Sequence, residues 1–148
     1  FSEAGLNIHF CQDNQSKSVY GVIRGLHYQL QPDSQCKLVS AIQGTVWDVA
    51  VDLRTSSPTF GKWYGIELSA ENHLQFLIPK GFAHGFSVLT ETAIFAYKCD
   101  AFYNPSLERG ILYNDPQLAI DWKIPEHKAI VSVKDNKHPL FNAAEMNF

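Results

Sequence analysis

No uninterrupted apolar run in these 148 residues is longer than a β-strand, and nine glycines and seven prolines cut the runs at short intervals. That punctuation is the pattern of an all-β chain, and no segment approaches the roughly 20 apolar residues of a membrane-spanning helix. Strands are expected over 19–24, 35–43, 46–53, 62–68, 74–78, 83–88 and 93–101, with a further apolar strand over 129–133. Gln43-Gly44 reads as a tight hairpin, 54–58 as a longer loop and Pro79-Lys-Gly81 as a corner. Single helical turns are expected over 70–73 and 116–120, and a short terminal one over 143–148. Such a chain closes into a sandwich or barrel, with the jelly roll prominent among the options.

The stretch 46–54 sharpens this reading. Trp47, Val49, Val51 and Leu53 share one parity and read as a dry, packed face. Asp48, Asp52 and Arg54 share the other parity with Val46 and Ala50. Two readings fit that face. It is either a solvated sheet surface or a polar cavity inside a barrel, where buried charges need partners.

Composition bounds the function. Apolar residues make up 45% of the chain and charged residues 18%, which is the balance of a folded globule of one domain. Twelve Lys and Arg against fifteen Asp and Glu leave a net charge of −3, which argues against nucleic-acid binding through bulk charge. Cys11, Cys36 and Cys99 are odd in number and lie in strand-like text, which fits free thiols in a cytoplasmic protein. The chain opens on Phe1 rather than Met, so either residues were removed ahead of it or it is part of a longer chain.

Three clusters could carry chemistry. In Arg24-Gly-Leu-His27-Tyr-Gln29, Arg24 and His27 are three residues apart and would face opposite sides of a regular strand. A bulge at Gly25 would bring both to one side; without it, His27 reads as an ordinary structural residue. Pro79-Lys-Gly81-Phe-Ala-His84 has the P-x-G-x-x-H spacing of the second cupin motif. The first cupin motif normally adds an H-x-H pair, yet the chain reads His27-Tyr28-Gln29, a poor transition-metal set, so no metal is expected. Tyr97-Lys-Cys-Asp-Ala-Phe-Tyr103-Asn-Pro105-Ser-Leu-Glu108 forms the third cluster, in which Tyr97 is either a core tyrosine or an acid.

Taken in order, these residues form a longer pattern. Gln12-Asp-Asn14, the Arg24–Gln29 cluster, Lys37-Leu38 and Asp48-Val-Ala-Val-Asp52 precede Ile78-Pro-x-Gly81-Phe-Ala-His84. Tyr97-Lys98, Tyr103-x-Pro105-x-x-Glu108, Asn114-Asp-Pro116 and Ser132-x-Lys134-Asp135 complete it. The chain closely resembles the dTDP-4-dehydrorhamnose 3,5-epimerase family of the cupin superfamily, across its whole length.

The resemblance implies a cupin-type jelly-roll barrel, residues 1–148, lacking the two N-terminal strands and acidic-x-Arg-Gly motif of the family. It implies a homodimer acting on a nucleotide-linked 4-keto-6-deoxyhexose, dTDP-linked by default, without cofactor. His27 matches the family's base, Asp135 the carboxylate that orients it, Tyr97 the acid and Lys37 the cation beside the C4 oxygen. Arg24, His84, Lys134, Glu108, Gln12, Asn14 and backbone at Asp13 match substrate-binding positions, and Tyr103 a ring that stacks or closes the pocket. The alternatives are a single-centre epimerase on a related dTDP-, GDP- or CDP-linked sugar, a non-catalytic sugar-binding cupin, and a metal-dependent cupin with an ion at His27 and His84. The enzyme reading requires His27 and Tyr97 to flank a space that admits a pyranose, with Asp135 in hydrogen-bond reach of His27.

Overall fold

The computed structural model describes residues 2–148; Phe1, the first residue of the expected domain, lies outside the described residues. The strands are β1 (Gln12–Val19), β2 (Val22–Gln29), β3 (Lys37–Gln43), β4 (Thr45–Asp52) and β5 (Trp63–Ser69). They continue as β6 (Gln75–Ile78), β7 (Phe82–Val88), β8 (Thr92–Cys99), β9 (Glu108–Gly110) and β10 (Ile130–Val131). Helix among the described residues is limited to single 3-10 turns at Ser2–Ala4, Glu126–Lys128, Asp135–Lys137 and Phe141–Ala143.

One sheet runs β1-β8-β3-β6, and the other runs β10-β2-β7-β4-β5. The first eight strands pair antiparallel and mostly switch sheet from one to the next, which is jelly-roll topology. β10 and β9 take successive stretches of the free edge of β2, at Val22–Ile23 and His27–Gln29.

Phe95 on β8 stacks on Phe86 of β7 with ring centroids 4.3 Å apart, joining the two sheets. Val39, Val46, Ala50, Leu68 and Val88 fill the barrel around them. A second core lies on the other face of β2, β7 and β4: Ile23, Val49, Val51 and Leu53 pack against Ile111, Leu118, Trp122 and Phe141 from the C-terminal segment. Both faces of β4 are therefore dry, and Asp48 and Asp52 point into the barrel at 0% and 1% exposure, not into solvent. Asp52 accepts from the Arg54 guanidinium at 2.9 and 3.0 Å and from the hydroxyls of Ser57 and Thr59, which ties down the following loop.

Several local expectations are corrected. β1 is a strand that the apolar pattern does not reveal, because its residues are almost all polar and only alternate in exposure along β8. The expected strand over 19–24 is broken at Tyr20-Gly21, where Gly21 takes φ +87° and the chain passes from one sheet to the other. Gln43-Gly44 is likewise a corner between sheets, not a hairpin. Residues 70–73 form a turn closed by Ser69 and Asn72, whose side chains accept from each other's backbone N–H at 3.0 Å. In 116–120 the expected single turn does form: the Ala119 N–H donates to the Asp115 carbonyl at 3.0 Å, and the Asp115 carboxylate caps it by accepting from the backbone of Gln117 and Leu118. The terminal helical turn ends at Ala143 and the chain runs on extended.

Gly44 sits at φ +73°, and a Cβ there would lie 2.2 Å from the carbonyl oxygen of Thr92. Gly44→Ala therefore combines left-handed strain with a backbone clash. A loss of about 2–4 kcal/mol is expected in a denaturant melt, whereas a loss below about 0.5 kcal/mol would show that the corner relaxes freely.

Candidate active site

The mouth of the barrel between the two sheets holds a cavity of about 310 Å³, within the range of small-molecule sites. His27 reaches it from β2 of one sheet, and Tyr97 and Lys37 reach it from β8 and β3 of the other.

His27 faces the cavity because β2 is irregular. Arg24 pairs with Phe86 and His27 with His84, so three residues of β2 span two of β7. Gly25 takes φ +124° in that bulge, and a Cβ there would lie 2.7 Å from the Cα of Gly85. The bulge turns Arg24 and His27 to one side, as the sequence analysis expects. It also frees the Gly25 N–H, which donates to Asp135 Oδ2 at 3.2 Å.

Asp135 opens a 3-10 turn after β10, and its Oδ1 lies 2.6 Å from His27 Nε2. That contact leaves His27 Nδ1 available to the cavity. Burial works against ionisation of Asp135, but hydrogen bonds from His27, Gly25 and His138, with the His27 charge, outweigh it and hold the carboxyl at about 2. Asp135 therefore stays a carboxylate beside the imidazole at neutral pH.

On the facing sheet, burial pushes the Tyr97 phenol up, with Cys99 adding to the shift and Arg24 opposing it, so it holds its proton at neutral pH. Lys37 Nζ lies 5.7 Å from the centre of the Tyr97 ring. Desolvation pulls the Lys37 ammonium down, against the pull of Cys99, Asp48 and Glu108. A cation in so dry a setting acts strongly on any oxygen placed beside it.

The remaining expected residues divide by position. Gln12, Asn14, Tyr103 and Glu108 line the same cavity. Gln12 Oε1 accepts from the Tyr103 N–H at 2.9 Å and its Nε2 donates to Asn14, so it ties the 101–104 loop to β1. Asn14 Nδ2 is buried with no partner among the described residues, a donor that a bound molecule can satisfy. Glu108 accepts from the Tyr103 hydroxyl at 2.6 Å and from Lys134 Nζ at 3.0 Å; burial opposes its ionisation, but these two bonds hold its carboxyl low. Arg24 and Lys134 line an adjoining groove that shares His27 with the cavity and also meets Asp135.

Two expected residues stand apart. Strand alternation sends the Asp13 side chain to the outer face of β1, where it pairs with Lys98 at 2.7 Å, away from the cavity that Gln12 and Asn14 line. His84 lies deeper, beneath His27, with Nε2 at 2.9 Å from the fully buried Asp48. Burial pushes that imidazole down and that carboxyl up. The pair is a polar support inside the apolar barrel, with the His84 ring stacked on Phe95.

Cavity-lining Gln29, Gln35 and Cys99 escaped the sequence reading, although Gln29 sits in the quoted Arg24–Gln29 cluster. His138 also escaped it; nothing but its place three residues after Asp135 signals it. His138 Nε2 lies 3.1 Å from Asp135 Oδ1, so His27, Asp135 and His138 bring three metal-ligand-type atoms within 4.8 Å of one another. Both imidazole nitrogens are turned onto one carboxylate oxygen, an arrangement of hydrogen bonds rather than of lone pairs opened to a cation.

A barrel of this topology, with an imidazole–carboxylate pair and a phenol on opposing sheets of a polar pocket, is a cupin-type site built for proton transfer. A family model described as dTDP-4-dehydrorhamnose 3,5-epimerase matches residues 1–143, and the chain belongs to that family. It is 56% identical to the dTDP-4-dehydrorhamnose 3,5-epimerase of Shigella flexneri, over 91% of this chain and 74% of the relative. The crystal structure of dTDP-4-dehydrorhamnose 3,5-epimerase from Elizabethkingia anophelis NUHP1 superposes with a TM-score of 0.92 at 62% identity, covering 95% of this chain and 77% of that one. A second, dTDP-6-deoxy-D-glucose-3,5-epimerase from Legionella pneumophila Philadelphia 1 in complex with dTDP-4-keto-L-rhamnose, gives 0.90 at 55% identity, over 96% and 74% of the two chains.

The depressed Asp135 carboxyl has a consequence for stability. Its folded pKa lies below the unfolded value of about 3.9, so its contribution is present above that value and is lost as pH falls through about 2. Denaturant melts between pH 5 and pH 2 should show a shallower fall in stability for Asp135→Asn than for the parent. Equal slopes would mean that the carboxylate is not held as the geometry indicates.

Proposed function

We propose that this protein inverts C3 and C5 of dTDP-4-dehydro-6-deoxy-D-glucose to give dTDP-4-dehydro-L-rhamnose, using His27 as base, Tyr97 as acid and Lys37 as enolate stabiliser. The observation that carries this reading is the placement of His27, backed by Asp135, and Tyr97 on opposing sheets of one polar cavity.

The chemistry follows from the ketone. C3 and C5 both flank the C4 carbonyl, so loss of a proton from either gives an enolate whose charge lies on the C4 oxygen. His27 Nδ1 takes the proton from one face, and Asp135 stabilises the imidazolium that forms. Lys37 supports the charge on oxygen, which grows towards the transition state, so that its effect lowers the barrier and not only the ground state. The Tyr97 phenol returns a proton from the other face, and the configuration inverts. Each carbon is activated by the same ketone, so one base and one acid serve both centres. No electrons change hands and no cofactor is called for.

Arg24 and Lys134 in the adjoining groove suit the pyrophosphate, while Gln12, Asn14 and Glu108 suit the polar atoms of the nucleoside and sugar. The protein acts as a homodimer in this reading. β1, β5 and β6 are sheet-edge strands, and a second copy is a means of covering such edges. We place it in the cytoplasm, where its free Cys11, Cys36 and Cys99 stay reduced. No helix among the described residues is long and apolar enough to cross a membrane.

His27→Ala and Tyr97→Phe should each cut epimerisation by at least about two to three decades, with thermal melts close to the parent's. Collapse of the melt with either change would return that residue to a structural role. In deuterium oxide the parent should exchange label into both C3 and C5 of the product. Label at one carbon alone would replace the double epimerase with a single-centre enzyme.

A further inference from the structure

We propose that His138 is a positioning residue that shares the Asp135 carboxylate with His27 and thereby sets the pH at which the base is active. This inference rests on the reading of His27 as the base.

The geometry has three parts. His138 Nε2 lies 3.1 Å from the same Oδ1 that His27 Nε2 meets at 2.6 Å, so one oxygen serves two imidazoles. The rings of His27 and His138 stand edge to face, with centroids 5.5 Å apart and planes at 80°. The His138 ring rests on Gly110, which pairs with His27 across β2 and β9, and a Cβ at Gly110 would come within 2.4 Å of that ring. The strand beside the base thus has no side chain at the point where the second imidazole sits. His138 does not line the cavity that holds His27 Nδ1 and Tyr97, so it acts through Asp135 and not on the substrate.

The side chain is mostly buried, at 13% exposure, and its burial pulls the imidazole below its ordinary value, reinforced by the His27 and Lys134 charges and opposed by Asp135. At neutral pH it is therefore the uncharged donor of an N–H. The other charged groups around it are Arg109 and Glu145, which pair with each other at 2.7 Å, and Glu108, which is bound to Lys134. The Tyr28 phenol closes that side and stays protonated, raised to about 12 by burial. Among the described residues, Asp135 is the one hydrogen-bond partner of the His138 ring.

The sign follows from the shared oxygen. Each N–H given to a carboxylate draws off part of its charge. With His138 in place, Asp135 stabilises the His27 imidazolium less than it would alone. Removing the second donor leaves the full carboxylate charge to His27, so protonation of the base is favoured and the acidic limb of the kcat/KM profile moves to higher pH. Asp135 also loses one of its tethers, which should lower kcat.

The test is the pH dependence of epimerisation for the parent, His138→Ala, His138→Gln and Gly110→Ala, each first checked by thermal melt. His138→Ala should move the acidic limb up by roughly half a unit to one unit and lower kcat by about tenfold, with KM little changed. His138→Gln keeps an N–H donor and should return the limb towards the parent's. Gly110→Ala displaces the ring without removing it and should repeat the shift of His138→Ala. An acidic limb unmoved in any folded variant that lacks the donor would overturn the inference, as would a His138→Gln shift as large as that of alanine. His27→Ala and Asp135→Asn in the same assay separate the two levels. Turnover retained in both removes the base assignment itself, whereas turnover lost in both with an unmoved limb removes only the role of His138.

Discussion

The close approach of Gly25 to Gly85 is the constraint from which the rest of the site follows. A Cβ on either glycine would lie 2.7 Å from backbone of the other strand, so β2 and β7 meet there as bare chain. That contact lets β2 carry one extra residue between Arg24 and His27. The extra residue decides three things together. It places Arg24 on the same side as His27, it aims His27 between the sheets, and it releases the Gly25 N–H from the ladder. The released donor does not remain idle, because Asp135 collects it. A flat strand would have sent the imidazole or the guanidinium into the outer core and left the carboxylate with one anchor fewer.

The protein contains two histidine–aspartate pairs, and burial sets their uses apart. Asp48 and His84 lie inside the barrel with their charged forms disfavoured on both sides, so the pair supports structure and polarity beneath the site. His27 and Asp135 lie at the mouth, where the His27 side chain is 31% exposed and the carboxylate is held ionised by several donors. A group that exchanges protons with a bound molecule needs such access, and of the two pairs the one at the mouth has it. The same two residue types in one barrel thus divide into a buried pair and a pair open to the cavity.

How far the sequence reveals this depends on which residues are local. The β4 alternation marks Asp48 and Asp52 as an anomaly among apolar residues and narrows them to a solvated face or a polar interior, and the structure decides by burying both. Gly25 between Arg24 and His27 signals the bulge for the same reason: the anomaly and its remedy are adjacent. β1 gives no such signal, since a strand of alternating polar residues looks like a loop until β8 pairs with it. The corner at Gly44 looks like a hairpin because a glycine with positive φ serves either purpose, and only the sheet to which each strand belongs distinguishes them. Asp13 lies within a motif read as one unit, yet the pleat turns its side chain away from Gln12 and Asn14. His138 is invisible for a different reason, because its meaning depends on Gly110, a residue of another strand that contributes only empty space.

The assembly of the site across two cores explains the long, irregular C-terminal segment. The barrel interior, built on Phe86 and Phe95, fixes the distance between the sheets and hence between His27 and Tyr97. It supplies neither Asp135, which meets the His27 imidazole, nor His138, which meets that carboxylate; both arrive on the segment packed against the outer face of β2, β7 and β4. Trp122 and Phe141 in that outer core, with Ser87 donating to the Trp122 carbonyl at 2.6 Å and the Phe141 N–H donating to Asp115, hold the segment on either side of Asp135. A turn pinned at both ends keeps its carboxylate in register with an imidazole from a different element, whereas a free tail would lose conformational entropy to reach it. The burial of Val49, Val51 and Leu53 under that segment therefore anchors, from outside the barrel, the carboxylate that meets His27 at its mouth.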